Sequence, residues 1–352
     1  MDNVRIDQCT VTLTRKCNLR CDFCYAKKTE YMETAIMEYD NLKKVVDFCN
    51  DAHVKFIVFT GGEPTLYPRI LDILKYIKSK DNKMIPTIAT NGILLEDMEY
   101  CRSLIDNGIE YIDISLKGKD NEECYEMVGR DCFFQQSKAI HNLSMLPIEF
   151  TCSIVLTSEN INSLCDTVRN AHDNGAKQFS FTFVIDNEKS SESDEAYLFK
   201  NNPLTLIESF ISQIDKLNLI TEEWWIEYSF PMCIYTRKQL NILKGKLASP
   251  CQIHIENGIT FDTETNLIPC NMHFENRIGK LGVDFSSYTE FLEIFKKSLY
   301  RDTIDKLKKY PSNKCTSCEY LESCYGGCPV TWKNYSFEAI TKFKEEYYNH
   351  NK

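Results

Sequence analysis

The sequence predicts an α/β fold: a partial (β/α)6 TIM-like barrel followed by a small cysteine-rich domain. Three observations predict it. Strand-like and helix-like segments alternate through the first half at a spacing of about 30 residues, the length of one βα unit. Candidate functional residues fall just after the strand-like segments, where such barrels gather their chemistry. Cysteines also concentrate near both ends of the chain: of 17, three lie from Cys17 to Cys24 and six from Cys251 to Cys328.

The strands are expected near Gln8–Thr14, Lys55–Thr60, Met84–Thr90, Tyr111–Leu116, Glu149–Leu156 and Gln178–Val184. Helical periodicity fills the intervals over Tyr39–Ala52, Arg69–Lys80, Glu96–Asn107, Asp131–Leu146 and Ile161–Asn174. Asn107-Gly108 and Asn174-Gly175 are stop signals for two of them. The acidic, serine-rich stretch Asp186–Glu195 reads as an exposed loop leaving the last strand. A helix is expected at 203–217. The aromatic run Trp224–Phe230 reads as core packing or as a wall for a substrate side chain. The expected boundaries are 1–220 for the barrel, 221–250 for a bridging region, and 251–352 for the cysteine-rich domain with a C-terminal helix.

Composition narrows the function. The formal charge of -10 argues against a nucleic-acid partner, since nothing basic dominates to neutralise phosphates. Residues Met1–Asp7 contain no apolar signal region, and no stretch approaches the ~20 apolar residues of a membrane span. A cytoplasmic location with no membrane association is expected. In that reducing setting 17 cysteines point to metal or catalysis rather than disulfides. Eight of them are scattered (Cys9, Cys49, Cys101, Cys124, Cys132, Cys152, Cys165 and Cys233), and most read as small core residues.

Cys17, Cys21 and Cys24 form a C-x3-C-x2-C motif. Three thiolates on one short loop can hold three irons of a [4Fe–4S] cluster and leave the fourth open to a small molecule. Zinc is the alternative, although zinc sites more often add a second ligand pair. The second strand then runs into Gly61-Gly62-Glu63-Pro64. Paired glycines let the backbone approach a ligand closely, and Glu63 can accept from a ligand ammonium. Asn91 follows the third strand, and Ser115 and Lys117 follow the fourth. Ser115 and Lys117 are candidates to bind a carboxylate or ribose, against a turn serine and a solvated lysine.

In combination these motifs resemble those of the radical S-adenosylmethionine (radical SAM) enzymes, over about residues 9 to 185. The resemblance implies that the open iron chelates the amino and carboxylate groups of SAM and that Glu63 contacts the amino group. It implies that Phe23 borders the adenine. Tyr25, Gly61, Gly62, Asn91, Ser115 and Lys117 join the cofactor-binding candidates. Arg130 stands where many peptide-modifying members carry an arginine for the SAM carboxylate, and a planar guanidinium suits that partner.

Cys315, Cys318, Cys324 and Cys328 follow as C-x2-C-x5-C-x3-C, with Cys251 and Cys270 upstream. A four-cysteine zinc ribbon is one reading. After a radical SAM barrel the pattern resembles a SPASM domain, which implies one or two auxiliary [4Fe–4S] clusters. Two departures stand out. Thr265 replaces a usual glycine, and no cysteine follows Cys328, where the family has a seventh. The family scheme leaves Cys315, Cys318 and Cys324 one ligand short, and likewise Cys251, Cys270 and Cys328. Open or non-cysteine sites, one shared cluster, or help from a stray cysteine such as Cys233 are the alternatives.

The resemblance implies reductive cleavage of SAM to a 5′-deoxyadenosyl radical and hydrogen abstraction from a peptide or protein, for instance in maturing a ribosomally made peptide. An electron donor such as flavodoxin or ferredoxin is expected. Because the motif begins at Cys17, no leader-recognition domain is expected ahead of the barrel. Asn271 stands where sulfatase-maturing members carry an aspartate base, which disfavours that activity. The alternatives are an activase that makes a glycyl radical on a partner enzyme and a zinc-stabilised binding protein.

Overall fold

The computed structural model describes residues 5–28, 34–185, 201–227, 230–248, 251–296, 298–307, 312–334 and 336–350. Strands β1 (Gln8–Thr14), β2 (Phe56–Gly61), β3 (Ile85–Thr90), β4 (Tyr111–Leu116), β5 (Glu149–Leu156) and β6 (Gln178–Phe183) pair in sequence order, all parallel. The helices between them are α1 (Tyr39–Asp51), α2 (Ile70–Lys78), α3 (Met98–Asp106), α4 (Asn121–Val128), α5 (Phe133–Ser144) and α6 (Leu164–Asp173). Each strand starts within a residue of its expected position. The helix expected from Glu96 starts later, because Asp97 caps it by accepting from the Glu99 and Tyr100 N–H groups. The expected Asp131 start moves to Phe133.

The sheet extends past the six expected strands. β7 (Trp224–Ile226) pairs parallel with β6, and β8 (Gly258–Phe261) pairs parallel with β1. β9 (Asn266–Ile268) and β10 (Gly279–Lys280) continue antiparallel beyond β8. Both additions are short runs within stretches read as bridge and cysteine-rich domain. The Asp186–Glu195 stretch lies outside the described residues.

Side chains on one face of each strand meet the helices. Ile57, Phe59, Ile88, Ile112, Ile114 and Phe179 are all buried there. Phe48 on α1 ties the two halves together. It makes edge-on contacts to Phe261, Phe285, Tyr288 and Phe291, with centroids 5.4 to 6.2 Å apart. The aromatic run divides. Trp224 is buried beside Phe181 and Phe210, while Trp225 is part-exposed on the other face and donates to Glu227 Oε1 (2.7 Å). No helix among the described residues is long and apolar enough to cross a membrane.

Candidate cofactor and metal sites

The first three strands end in one knot of hydrogen bonds. Gly62 N–H donates to the Thr14 carbonyl (2.7 Å) and Glu63 N–H to that of Lys16 (2.8 Å). This approach leaves no room for side chains. A Cβ on Gly61, at φ +148°, would stand 2.1 Å from the Thr14 oxygen, and one on Gly62 would stand 2.4 Å from that of Lys16. Glu63 is 1% exposed, so its carboxylate must be satisfied internally. Its Oε1 accepts from Thr65 N–H (3.0 Å), Thr65 Oγ1 (2.6 Å) and Thr90 Oγ1 (2.6 Å), and its Oε2 from Asn91 N–H (2.7 Å). Oε2, with a single donor, keeps capacity for one more.

The cysteine loop is fastened to this knot. Asn91 Nδ2 donates to Asn18 Oδ1 (2.7 Å). Arg20 and Asp22 donate their N–H groups to the carbonyls of Val128 (2.9 Å) and Met127 (3.3 Å) at the end of α4. Leu19 packs with Ile93, Met127 and Val128 beneath. Cys17, Cys21 and Cys24 are part-exposed and lie within electrostatic range of one another. Burial raises the Cys17 thiol and the Cys21 thiol, and the Lys117 ammonium opposes the second. These thiols fit a cluster: the loop is fixed in place and the sulfurs stay accessible. Among the described residues no three Cys, His, Asp or Glu side chains are grouped as a single metal ion would need.

Lys117 is a buried cation rather than a solvated one. It is 6% exposed, donates to Ser115 Oγ (2.5 Å), and lies 5.6 Å from the Phe23 ring centroid. It joins the cysteine loop to the barrel interior. Gln136 on α5 escaped the sequence reading. Its Nε2 donates to the carbonyls of Asn91 (2.7 Å) and Ser115 (2.9 Å), and its Oε1 accepts from Lys117 N–H (3.2 Å). An amide on the buried side of the helix, where Asn142 is the other, is the signal that finds it. Arg130 lies in the link between α4 and α5, near Cys132. The Tyr25 hydroxyl is buried, within reach of the charges of Arg15, Cys24 and Cys270.

The inner face of the barrel is polar. Tyr111 and Thr151 share a hydrogen bond through their hydroxyls, and Ser153 Oγ donates to Asp113 Oδ2 (3.3 Å). Asp113 Oδ1 is buried with no hydrogen-bond partner among the described residues. Burial raises its carboxyl to about 6, with Glu227 adding to the rise and Ser153 and Lys117 opposing it. The signal was present in the alternation of β4, where Tyr111, Asp113 and Ser115 share the face opposite the buried Ile112 and Ile114.

The C-terminal cysteines divide into two groups. Cys251, Cys270 and Cys328 lie within electrostatic range of one another, and burial pushes the thiols of Cys270 and Cys328 up to about 12. Cys315, Cys318 and Cys324 form the second group, on short turns at Asn313–Ser317 and Leu321–Cys324. The first group reaches the barrel mouth. Thr12 Oγ1 donates to Asn271 Oδ1 (3.0 Å), which holds the residue after Cys270 against β1.

The family model of the Radical SAM superfamily matches residues 11–188, half of the chain, and the chain belongs to that superfamily. A GTP 3′,8-cyclase of Chlorobaculum tepidum is 31% identical over 142 residues, covering 40% of this chain and 42% of that protein. A probable GTP 3′,8-cyclase of Thermoplasma volcanium is 27% identical over 207 residues, 57% of this chain and 61% of its own. The chain thus spans about half the length of the curated relatives it matches. Among solved structures, anSMEcpe with bound AdoMet and Cp18Cys peptide superposes with a TM-score of 0.67 at 20% identity, over 98% of this chain and 99% of that one. Streptococcus suis SuiB bound to precursor peptide SuiA gives 0.66 at 18% identity, over 93% and 72%. At these identities the likeness is one of fold.

Proposed function

We propose that this chain is a radical SAM enzyme that oxidatively modifies a peptide or protein, with auxiliary [4Fe–4S] clusters on its C-terminal cysteines in a SPASM-like region. Maturation of a ribosomally made peptide is the activity this reading favours. One observation carries it. Cys270 and its neighbour Asn271 meet the mouth of the barrel, and the buried Tyr25 hydroxyl lies within electrostatic reach of both Cys24 and Cys270. A second redox group there would face the same interior as the SAM site. The whole-length likeness to two enzymes solved with peptides supports the same reading.

The bound cluster and SAM would supply a 5′-deoxyadenosyl radical, which abstracts hydrogen from an unactivated carbon. The remaining tasks belong to the chain's own residues. Oε2 of Glu63 is the acceptor for the SAM ammonium, and the knot through Thr65, Thr90 and Asn91 fixes its aim. Lys117 and Arg130 are the cations for the carboxylate end. Ser153, Asp113, Trp225 and Glu227 present hydroxyl, carboxyl and indole groups to the substrate.

The relatives' names supply a second reading, cyclisation of GTP. The interior weighs against it. A triphosphate needs cations along its path; the first reading gives Lys117 to the SAM carboxylate, and β4 and the end of β7 put the carboxylates of Asp113 and Glu227 beside it. Anaerobic turnover separates the two. With SAM and flavodoxin or dithionite as reductant, a peptide encoded beside the gene should lose two hydrogens by mass as 5′-deoxyadenosine accumulates. Conversion of GTP to a cyclised isomer, with peptides unchanged, would overturn the proposal.

A further inference from the structure

Residues Pro231–Cys233 pack onto the outer group of cysteines, although 92 positions separate Met232 from Cys324. Met232 N–H donates to Cys324 Sγ (3.3 Å). Gly327, at φ +82°, passes so close that a Cβ on it would stand 2.7 Å from the Pro231 nitrogen. The C-terminal helix Phe337–His350 clamps the same turn. Lys344 Nζ donates to the carbonyls of Cys233 and Tyr235, both at 2.8 Å. The result is a cavity of about 480 Å³ lined by Cys233, Cys315, Cys318 and Cys324, with Tyr320 and Trp332 on its walls.

Four cysteines from two distant segments therefore surround one space. The geometry points to Cys233 as the fourth ligand of an outer [4Fe–4S] cluster held by Cys315, Cys318 and Cys324. In this chain the ligand comes from upstream of the other six C-terminal cysteines rather than from after them. The assignment rests on the proposed reading of those cysteines as iron–sulfur ligands. Two features support the assignment. Cys233 is exposed and lines the same cavity as Cys315, Cys318 and Cys324. Its segment is fastened there by Met232 N–H on Cys324 Sγ and by Lys344 on the Cys233 carbonyl.

The consequence is a division of labour. With four thiolates the outer cluster is closed and suited to electron transfer. The inner group keeps three cysteines, Cys251, Cys270 and Cys328, at the barrel mouth, and the open position falls to it.

The test is metal content of the full chain, reconstituted anaerobically in a Cys17→Ala/Cys21→Ala/Cys24→Ala background. That background should hold about eight irons per chain, and adding Cys233→Ala, which leaves the outer cluster on three thiolates, should raise by about four the number of irons removed rapidly by a chelator such as EDTA. Adding Cys165→Ala, a core cysteine, should change nothing. Alkylation with iodoacetamide supplies a second measurement that needs no substitution. In the otherwise unaltered chain, Cys233 should be labelled when metal-free and protected, to the same degree as Cys315, when loaded. Iron removal from the Cys233→Ala variant as slow as from its background, or equal labelling of Cys233 in both forms, would overturn the assignment and leave the auxiliary-cluster reading intact. Absence of iron from the triple-alanine background would overturn both.

Discussion

The N-terminal and C-terminal cysteine groups solve the same problem by opposite means. The N-terminal loop is short and contiguous in sequence. Backbone bonds hold it to Glu63 and to the end of α4, and a side-chain bond holds it to Asn91. Its position is set by the barrel. The C-terminal groups gather residues from several separate segments, each on a short turn, and the closing contacts cross long sequence gaps. The first arrangement puts a cofactor at a fixed place relative to the strand ends. The second depends on the whole region having folded. A contiguous motif survives as a readable pattern, whereas an assembled one does not.

The largest expected effects separate the two groups by their products. Cys17→Ala should abolish 5′-deoxyadenosine formation altogether, because no other group can hold the SAM-binding iron. Cys315→Ala should lower the yield of modified peptide while 5′-deoxyadenosine still forms. Chromatography of both products from one anaerobic reaction reads the difference. Equal loss of both products in the two variants would mean the groups are not functionally distinct.

Two glycines sharpen the contrast in energy. Gly62→Ala forces a Cβ to 2.4 Å from the Lys16 carbonyl, backbone against backbone. A loss of about 3 kcal/mol or more is expected, together with loss of iron, as the cysteine loop is displaced. Gly245 also has positive φ, +79°, but nothing lies within 4 Å of where a Cβ would stand. Gly245→Ala should cost about 1 kcal/mol from φ strain, with iron retained. Urea unfolding and iron analysis on the pair measure this. Glu63→Gln comes next. It puts an amide among four donors, so one N–H faces another donor, and about 2 kcal/mol of stability is expected to go. Calorimetric SAM binding should weaken with it, and unchanged SAM affinity would remove Glu63 from the ammonium site.

The same contrast explains what the sequence discloses. The six barrel strands were legible because each is a β-branched or aromatic run bounded by turn residues, and period and burial agree. β7 was legible as a strand-like aromatic run at Trp224–Phe230 but not as a member of the sheet, and β8 was not read at all, since four residues carry too little periodicity to outweigh their surroundings. Cys17, Cys21 and Cys24 were legible by spacing, and Glu63 by its glycines. Gln136 and Asp113 were not singled out, because one polar residue in an apolar pattern gives no partner. Their partners Asn91 and Ser153 are fixed by tertiary structure alone. Cys233 was visible as a cysteine but unassignable, since the contact of its neighbour Met232 with Cys324 spans 92 positions and leaves no local trace.

A further modest effect belongs to the barrel interior and carries a sign that can be worked out. The Asp113 carboxyl is raised from 3.8 to about 6 by burial. Folding therefore holds its proton more tightly than the unfolded chain does. The associated stability is fully present below pH ~4, and it is lost as the pH rises through ~6, where a buried carboxylate must form. Asp113→Asn keeps an acceptor for Ser153 and removes that cost. A rise of about 2 pH units corresponds to about 3 kcal/mol as a ceiling. Because the residue is half-buried, solvent takes part of this, and a gain of about 1–2 kcal/mol is expected at pH 8. The gain should shrink towards zero at pH 4. Urea midpoints of both proteins from pH 4 to pH 8 trace the difference. A difference that does not change with pH would mean that folding does not shift the aspartate, and a loss that grows with pH would mean that its charge is stabilised inside the barrel. Either would remove the case for an interior that favours neutral or cationic groups of a peptide over a triphosphate.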